Sequence, residues 1–536
     1  MVSTFSRFRR RPHGQAIAPQ SYTSTLHRVS SLSCLALSFF VSPLLTAPLP
    51  AAPAAFKPVK LFDPATISQR TLPNGVRGVV KETRGTGLVA VQVWVRAGSR
   101  YESVSNAGAS HLIQDIAMQT SKNYPRSGGG VSGELGGEGG AASVVEALGG
   151  VTGAQTSRDA TSFSATVGSS FLPAALRALS DATLLPRLTD AEVESAKLEI
   201  EAELQNRDSE PLTAVTDLAF RLAFAKHPYK RAALGTSEEV EKLNGKKVRD
   251  YHAARYVGSN ISVVIVGDVQ RDAAHKLIEH YFAGARVGKT VDAIAPETTP
   301  LTYNSPVIRR RPIARTATAL AFRAPGITNP NDVVAMDVLL SHWSEGREAA
   351  MRKVLLGDSD NADQREEGLD DSEEPTAPQT PPMPGVPEPT EPEPLALAFD
   401  VNFLTQRDPG LLLFTLVTEP DGRNDAVRAT LDEVAGVRQN SIPAAAIARA
   451  KTELSRQYIE QGDTLTGQAG ALGFYEMIST YEFAVTYLDH IDRITATDIK
   501  RVANKYLTAT GYVQAVIDAA PRPRTQPLSD QESIPV

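Results

Sequence analysis

Cysteine is all but missing from this sequence. Cys34 stands alone among 536 residues, which excludes disulfides and cysteine-ligated zinc sites. Acids are missing from the start, where the first is Asp63. No strong overall charge is present either, since 55 basic and 61 acidic residues leave −6. The balance is uneven, with +7 over residues 1–60, −11 over 357–394 and −2 over the rest. A near-neutral body gives no electrostatic reason to expect nucleic acid as a partner. At 42% hydrophobic and 22% charged residues, the chain can bury a core, which excludes a wholly disordered or fibrous protein. Its length fits three or four pieces at roughly 150 residues each.

The acid-free start contains Arg7-Phe8-Arg9-Arg10-Arg11, an apolar stretch over 32–49, and small residues at Ala51-Ala52-Pro53-Ala54-Ala55. These are the parts of a secretory signal, so residues 1–55 are expected to be a targeting segment removed between about Ala52 and Lys57. Export to the periplasm or outside the cell follows, and a mature protein without cysteine suits an oxidising compartment. A mitochondrial presequence is the alternative, because acid-free Arg- and Ser-rich starts also fit that. Pro43, Pro48 and Pro50 argue against a permanent membrane helix.

From Leu61 the pattern is globular. The apolar, β-branched run at 88–95 predicts a strand, as do 162–167 and 261–266. Helices are predicted over 109–118 and over 190–206, the latter started by Thr189 or Asp190. The order then repeats: LTDAEVESAKLE (188–199) aligns with IPAAAIARAKTE (442–453) at an offset of 254. LNGKKVRDYHAARY followed by ISVVIV matches ITATDIKRVANKY followed by YVQAVI. Two copies so far apart imply a duplicated domain and not a solenoid, whose periods are roughly 20–50 residues.

The expected architecture is α+β, with two duplicated domains at 61–290 and 306–522. Each is a mostly antiparallel sheet with helices packed on one face, joined by a linker at 291–305 and followed by a tail at 523–536. Two insertions interrupt the pattern. Residues 127–140 contain eight glycines and cannot be regular structure. Residues 357–394 combine twelve acids with nine prolines, which predicts a solvated loop within the second domain.

Residues 96–125 read RAGSRYESVSNAGASHLIQDIAMQTSKNYP. This resembles the insulinase-type (pitrilysin, inverzincin) metallopeptidase family, whose segment carries GSRxE and then G-x-(A/S)-H-x-x-E-H. EALGGVTGAQTSRDATSF (146–163), AKHPYKRAALGTSEEVEKL (225–243) and YVGSNISVVIVGDV (256–269) extend the resemblance over 61–518. In that motif, histidines at i and i+4 share a helix face and hold zinc, and the intervening Glu acts as general base. A Glu on a later helix completes the ligand set and leaves a position for water.

Only part of that set is kept here. His111 occupies the first ligand position, Gln114 stands where the base belongs, and Asp115 stands where the second His belongs. The family's E-x(7)-P pattern falls on 203–211 and assigns the distal ligand to Glu203, with Glu199 and Glu201 close by. An amide cannot take a proton at neutral pH, and one imidazole with two carboxylates is a poorer zinc site than His-His-Glu. The second half offers no replacement: Gln457 lies where the offset carries Glu203, and no H-x-x-E-H-like run follows residue 300.

The resemblance implies further site residues. Gly153, Ala154, Gln155 and Thr156 fall on the family's edge strand, where substrate is added as an extra strand. Phe399 takes the place of a substrate-holding Tyr, and Arg352 is the nearest candidate for the accompanying Arg. Family members often work as pairs, one subunit carrying zinc and the other degenerate. The expected role is therefore a non-catalytic subunit that binds extended peptides and pairs with an active zinc peptidase, with zinc in doubt. The alternatives are an active zinc endopeptidase with a modified site and a structural core subunit of a mitochondrial respiratory complex.

Overall fold

Two long apolar strands organise the molecule. β3 (Leu88–Val95) and β6 (Ile261–Gly267) are nearly continuous runs of Val, Ile and Ala. Such runs suit strands buried on both faces better than strands with one face in water. The computed structural model describes residues 60–125, 139–289, 294–295, 297, 299–346, 349–357 and 393–519. The expected targeting segment at 1–55, nearly all of the Gly-rich stretch, nearly all of the acidic stretch and the expected tail lie outside them.

The first sheet also contains β1 (Ile67–Thr71), β2 (Arg77–Glu82), β4 (Val151–Thr156) and β5 (Thr161–Gly168), in the order β1-β2-β6-β3-β5-β4. The second contains β7 (Val307–Arg311), β8 (Thr316–Arg323), β9 (Ala398–Phe403), β10 (Leu411–Thr418) and β11 (Tyr512–Ala519), in the order β7-β11-β8-β10-β9. Without β1 the two orders are the same. Each sheet has one parallel pair, β2 with β6 and β7 with β11, and is otherwise antiparallel. The duplication read from the sequence is thus a duplication of topology.

The first half's helices are α1 (Ala109–Gln119), α2 (Gly140–Ala147), α3 (Leu172–Leu184), α4 (Asp190–Ser209), α5 (Pro211–Ala223), α6 (Ser237–Glu241), α7 (Gly245–Arg255) and α8 (Arg271–Phe282). The second half's are α9 (Pro330–Ser344), α10 (Ala350–Leu356), α11 (Arg423–Gln439), α12 (Ala444–Gln461), α13 (Leu465–Ile478), α14 (Tyr481–Arg493) and α15 (Ala496–Tyr506). The predicted 190–206 helix is α4, capped by the Thr189 side chain, which accepts from Glu192 N. Its counterpart α12 starts 254 residues later (444 − 190).

Each half packs its own helices on one face of its sheet, as expected. Covering the other face is a helix from the opposite half. Ala214, Val215, Ala219 and Phe220 of α5 pack on Ala317, Ala319 and Ala321 of β8 and on Ala515 and Ile517 of β11. Alternate alanines along β8 leave room for a helix to lie close. Reciprocally, α13 lies on β3 and β6 of the first sheet. There Gln92 Nε2 donates to the Thr466 carbonyl at 3.0 Å, and a methyl added at Gly473 would run into the Trp94 indole. The exchanged helices are equivalents, again offset by 254 (465 − 211). The described residues from Leu61 to Ala519 form one compact unit, and the exchange is its physical reason: neither sheet covers both faces by itself.

Candidate functional site

The entry to α1 is built by the GSRxE segment. Gly108, the residue before the helix, has φ 86°, a left-handed conformation that glycine adopts without strain. Buried Glu102 accepts from Gly108 N and Ser110 N at 2.8 Å each, satisfying first-turn donors that a helix cannot satisfy internally. Burial raises the Glu102 pKa, and those hydrogen bonds only partly offset it. Leu112, Ile113, Ile116 and Ala117 face the core. His111, Gln114 and Asp115, at i, i+3 and i+4, therefore share another face.

The sequence-predicted metal residues do meet. His111 Nε2 lies 3.4 Å from Asp115 Oδ2 and 3.1 Å from Glu203 Oε2 of α4. One donor atom from each residue falls within 4.8 Å of the others. The structure also sorts the three neighbouring acids. Glu199 accepts from Gln119 Nε2 at 2.9 Å and Glu201 from Ser237 Oγ at 3.1 Å, while Glu203 reaches the histidine. Burial raises the Asp115 pKa to about 6, with His111 lowering it and Glu203 and Glu199 raising it further. Burial would lower the His111 pKa, but the Glu203 hydrogen bond and the two carboxylates outweigh it and the net shift is upward.

The spacings of His111 to Asp115 and to Glu203 fit a divalent ion, since zinc–N and zinc–O bonds of about 2.0–2.2 Å place neighbouring ligands roughly 3–3.5 Å apart. His111, Asp115 and Glu203 would hold it, and a bound ion would supply Lewis-acid polarisation of a water. The hydrolytic arrangement is nevertheless incomplete. Gln114 donates Nε2 to Asp115 Oδ1 at 3.0 Å, and its Oε1 is buried without a hydrogen-bond partner. An amide in that place can orient a water but has no basic site for its proton.

Gly153, Ala154, Gln155 and Thr156 lie on β4, which pairs with β5 alone and ends the first sheet. The edge strand is packed beside α1, the helix that carries His111, and among the described residues its other side pairs with no strand. Arg352 is half-buried on α10, and Phe399 lies on β9, half-buried against the second half's core. Because α10 packs on β9, these two share one edge of the second sheet.

Sequence reasoning missed the buried joint behind the site. Arg100, 2% exposed, ion-pairs with Asp408 of the second half and has Asp159 at 3.6 Å. Tyr229 donates its hydroxyl hydrogen to Asp159 and accepts from Asp408 N at 3.1 Å. His227 Nε2 lies 3.0 Å from Asp408. Burial raises the Asp408 pKa, yet the His227 hydrogen bond and Arg100 outweigh it and hold the carboxyl below its usual range. The signal was present, because GSRYE, TSRDAT and HPYKR are the segments that converge here. Their second-half partner could not be read from spacing.

Two family descriptions match the chain: "Insulinase (Peptidase family M16)" over residues 78–237 and "Peptidase M16 inactive domain" over 242–358. An uncharacterized zinc protease of Mycobacterium leprae is 26% identical over 264 residues, covering 49% of this chain and 57% of that protein. Human mitochondrial cytochrome b-c1 complex subunit 1 is 27% identical over 306 residues, covering 56% of this chain and 60% of that one. The chain thus spans a little over half the length of these curated relatives. A solved protease from Helicobacter pylori shares the fold with a TM-score of 0.69 at 19% identity, covering 84% of this chain and 99% of that one. A solved peptidase M16 inactive domain from Pseudomonas fluorescens has a TM-score of 0.68 at 17% identity, covering 85% and 98%. Among the described residues no helix is long and apolar enough to cross a membrane. With the site motif, the duplicated topology and both family descriptions in agreement, this chain belongs to the insulinase (peptidase M16) family.

Proposed function

We propose that the chain is a non-catalytic subunit of the family, which holds an extended peptide along β4 and works beside a subunit with a complete zinc site. The observation that carries this reading is Gln114. It occupies the base position, is 8% exposed, and has one amide atom engaged by Asp115. Its amide has no basic site for the proton of a water. Peptide capture needs only the free backbone groups of an edge strand, so it survives the loss of hydrolysis. The proximity of His111, Asp115 and Glu203 favours a second reading, an active zinc endopeptidase with a modified site. Similarity to a cytochrome b-c1 complex subunit supports a third, a structural subunit of a mitochondrial complex. Export by the first 55 residues belongs to the first reading. N-terminal sequencing of protein from its source tests it, and a retained Cys34 would overturn it.

The deciding experiment measures zinc uptake and EDTA-sensitive cleavage of unstructured peptides by the purified chain. The expected result is no cleavage. The double change Gln114→Glu, Asp115→His should raise zinc affinity at least about tenfold, because a second imidazole replaces a carboxylate. Tight zinc binding with EDTA-sensitive cleavage by the unchanged chain would establish the second reading instead.

A further inference from the structure

One turn beyond Glu203 on α4, a cavity of about 440 Å³ is lined by Arg207, Arg221, Lys230, Arg231 and Arg311. Glu203 and Arg207 are i and i+4, so they share a face about 6 Å apart along the axis. Arg158, two residues past Thr156, stacks its guanidinium over Phe220 of α5 and has Asp217 at 3.9 Å. Through that contact Asp217 of the cavity lining is tied to the turn that follows β4.

Positive charge is in excess there. Asp217 and Glu239 are the two acids in the lining, with Glu201 nearby through Ser237. Asp217 is shared by Arg207 at 2.7 Å and Arg158. Glu239 is committed to the capping box of α6 through Thr236. Arg207 keeps a buried Nε without a partner. Lys230 and Arg231 donate to backbone carbonyls of Ala225 and Glu102, which satisfy hydrogen bonds but not charge. The side chain of exposed Arg221 makes no hydrogen bond or ion pair with any described residue.

We propose that this cavity receives a carboxylate of the peptide held on β4, so that the preferred ligand is a peptide carrying an acidic side chain or its own C-terminus at that point. The inference rests on the peptide-binding reading above and adds selectivity to it. Edge pairing is blind to sequence, and a convergent set of cations supplies a preference.

The test uses the intact protein and fluorescence anisotropy with four versions of one unstructured peptide. These are a neutral form with an amidated end, the same with a free C-terminus, an amidated form with one internal Glu, and its Gln control. At least one carboxylate form should bind about tenfold or more tightly than its neutral control, and the arm that does so identifies the source. Arg221→Gln should remove most of that preference while leaving the neutral peptide's affinity and the melting temperature unchanged. Equal binding of all four forms, or a preference untouched by Arg221→Gln, overturns the carboxylate pocket and leaves edge binding standing. Failure of every form to bind overturns the peptide-binding reading and this inference with it.

Discussion

The two halves share a strand order and exchange equivalent helices, yet their facing helix pairs differ. In the first half, α1 and α4 bring His111, Asp115 and Glu203 together. In the second, α9 and α12 are joined by Ser341 Oγ donating to the Ala450 carbonyl at 3.0 Å. Gln457, 254 positions after Glu203, donates Nε2 to Glu453 at 3.4 Å, one turn earlier on α12. Strand order and the exchanged helices determine whether the sheets are covered, so they tolerate little change. A helix pair above a covered sheet can hold a polar cluster or an ordinary contact with equal ease. Gln114 places the first half part of the way toward the second.

The largest expected effect strikes the joint between the halves. Asp408→Asn removes the charge partner of a 2%-exposed arginine and should cost about 3 kcal/mol or more in denaturant unfolding. Separate melting of the halves would show that the exchanged helices alone do not hold them together. A loss below about 1 kcal/mol would show that Asp159 suffices as counterion.

The exchanged helices give the next test. Ala219 of α5 meets small alanines, whereas its equivalent Gly473 in α13 meets Trp94. Gly473→Ala should destabilise by about 2–3 kcal/mol through overpacking, while Ala219→Gly should cost about 1 kcal/mol from helix propensity. Equal losses at both positions would erase that difference between the sheets.

The smallest effect depends on pH. His252 of α7 is buried and donates Nε2–H to the Thr183 carbonyl at 3.0 Å, where its equivalent in α15 is Ala503. Burial lowers its pKa to about 4, with the Thr183 hydrogen bond opposing and Arg286 adding to the shift. The unfolded chain then binds the proton first, near pH 6.5. Stability from this residue is complete above that value and is lost as pH falls toward 4. Between pH 7 and pH 5.5 the loss should be about 1 kcal/mol, and His252→Gln should remove it. An identical pH dependence in that variant would place the titration elsewhere.

Local rules explain how much of this was legible. Continuous apolar runs marked β3 and β6, and the predicted helix over 109–118 is α1 to within a residue. Spacing placed His111, Gln114 and Asp115 on one face, because i+3 and i+4 are close on any helix. The choice of Glu203 over Glu199 and Glu201 rested on the family's E-x(7)-P pattern; the angle between α1 and α4 that brings its carboxylate to His111 is encoded by no spacing.

What the sequence determined by itself is what depends on neighbours along the chain: the helices and strands, the duplication at an offset of 254, and the amide where a base belongs. Tertiary structure decided what depends on distant segments meeting. It laid α5 and α13 on each other's sheets, and it seated Asp408 against Arg100, 308 positions away. It also gathered the cations beyond Glu203 around one cavity. Those contacts are fixed by shape and charge across the whole core, and the chain alone records only the residues that can take part.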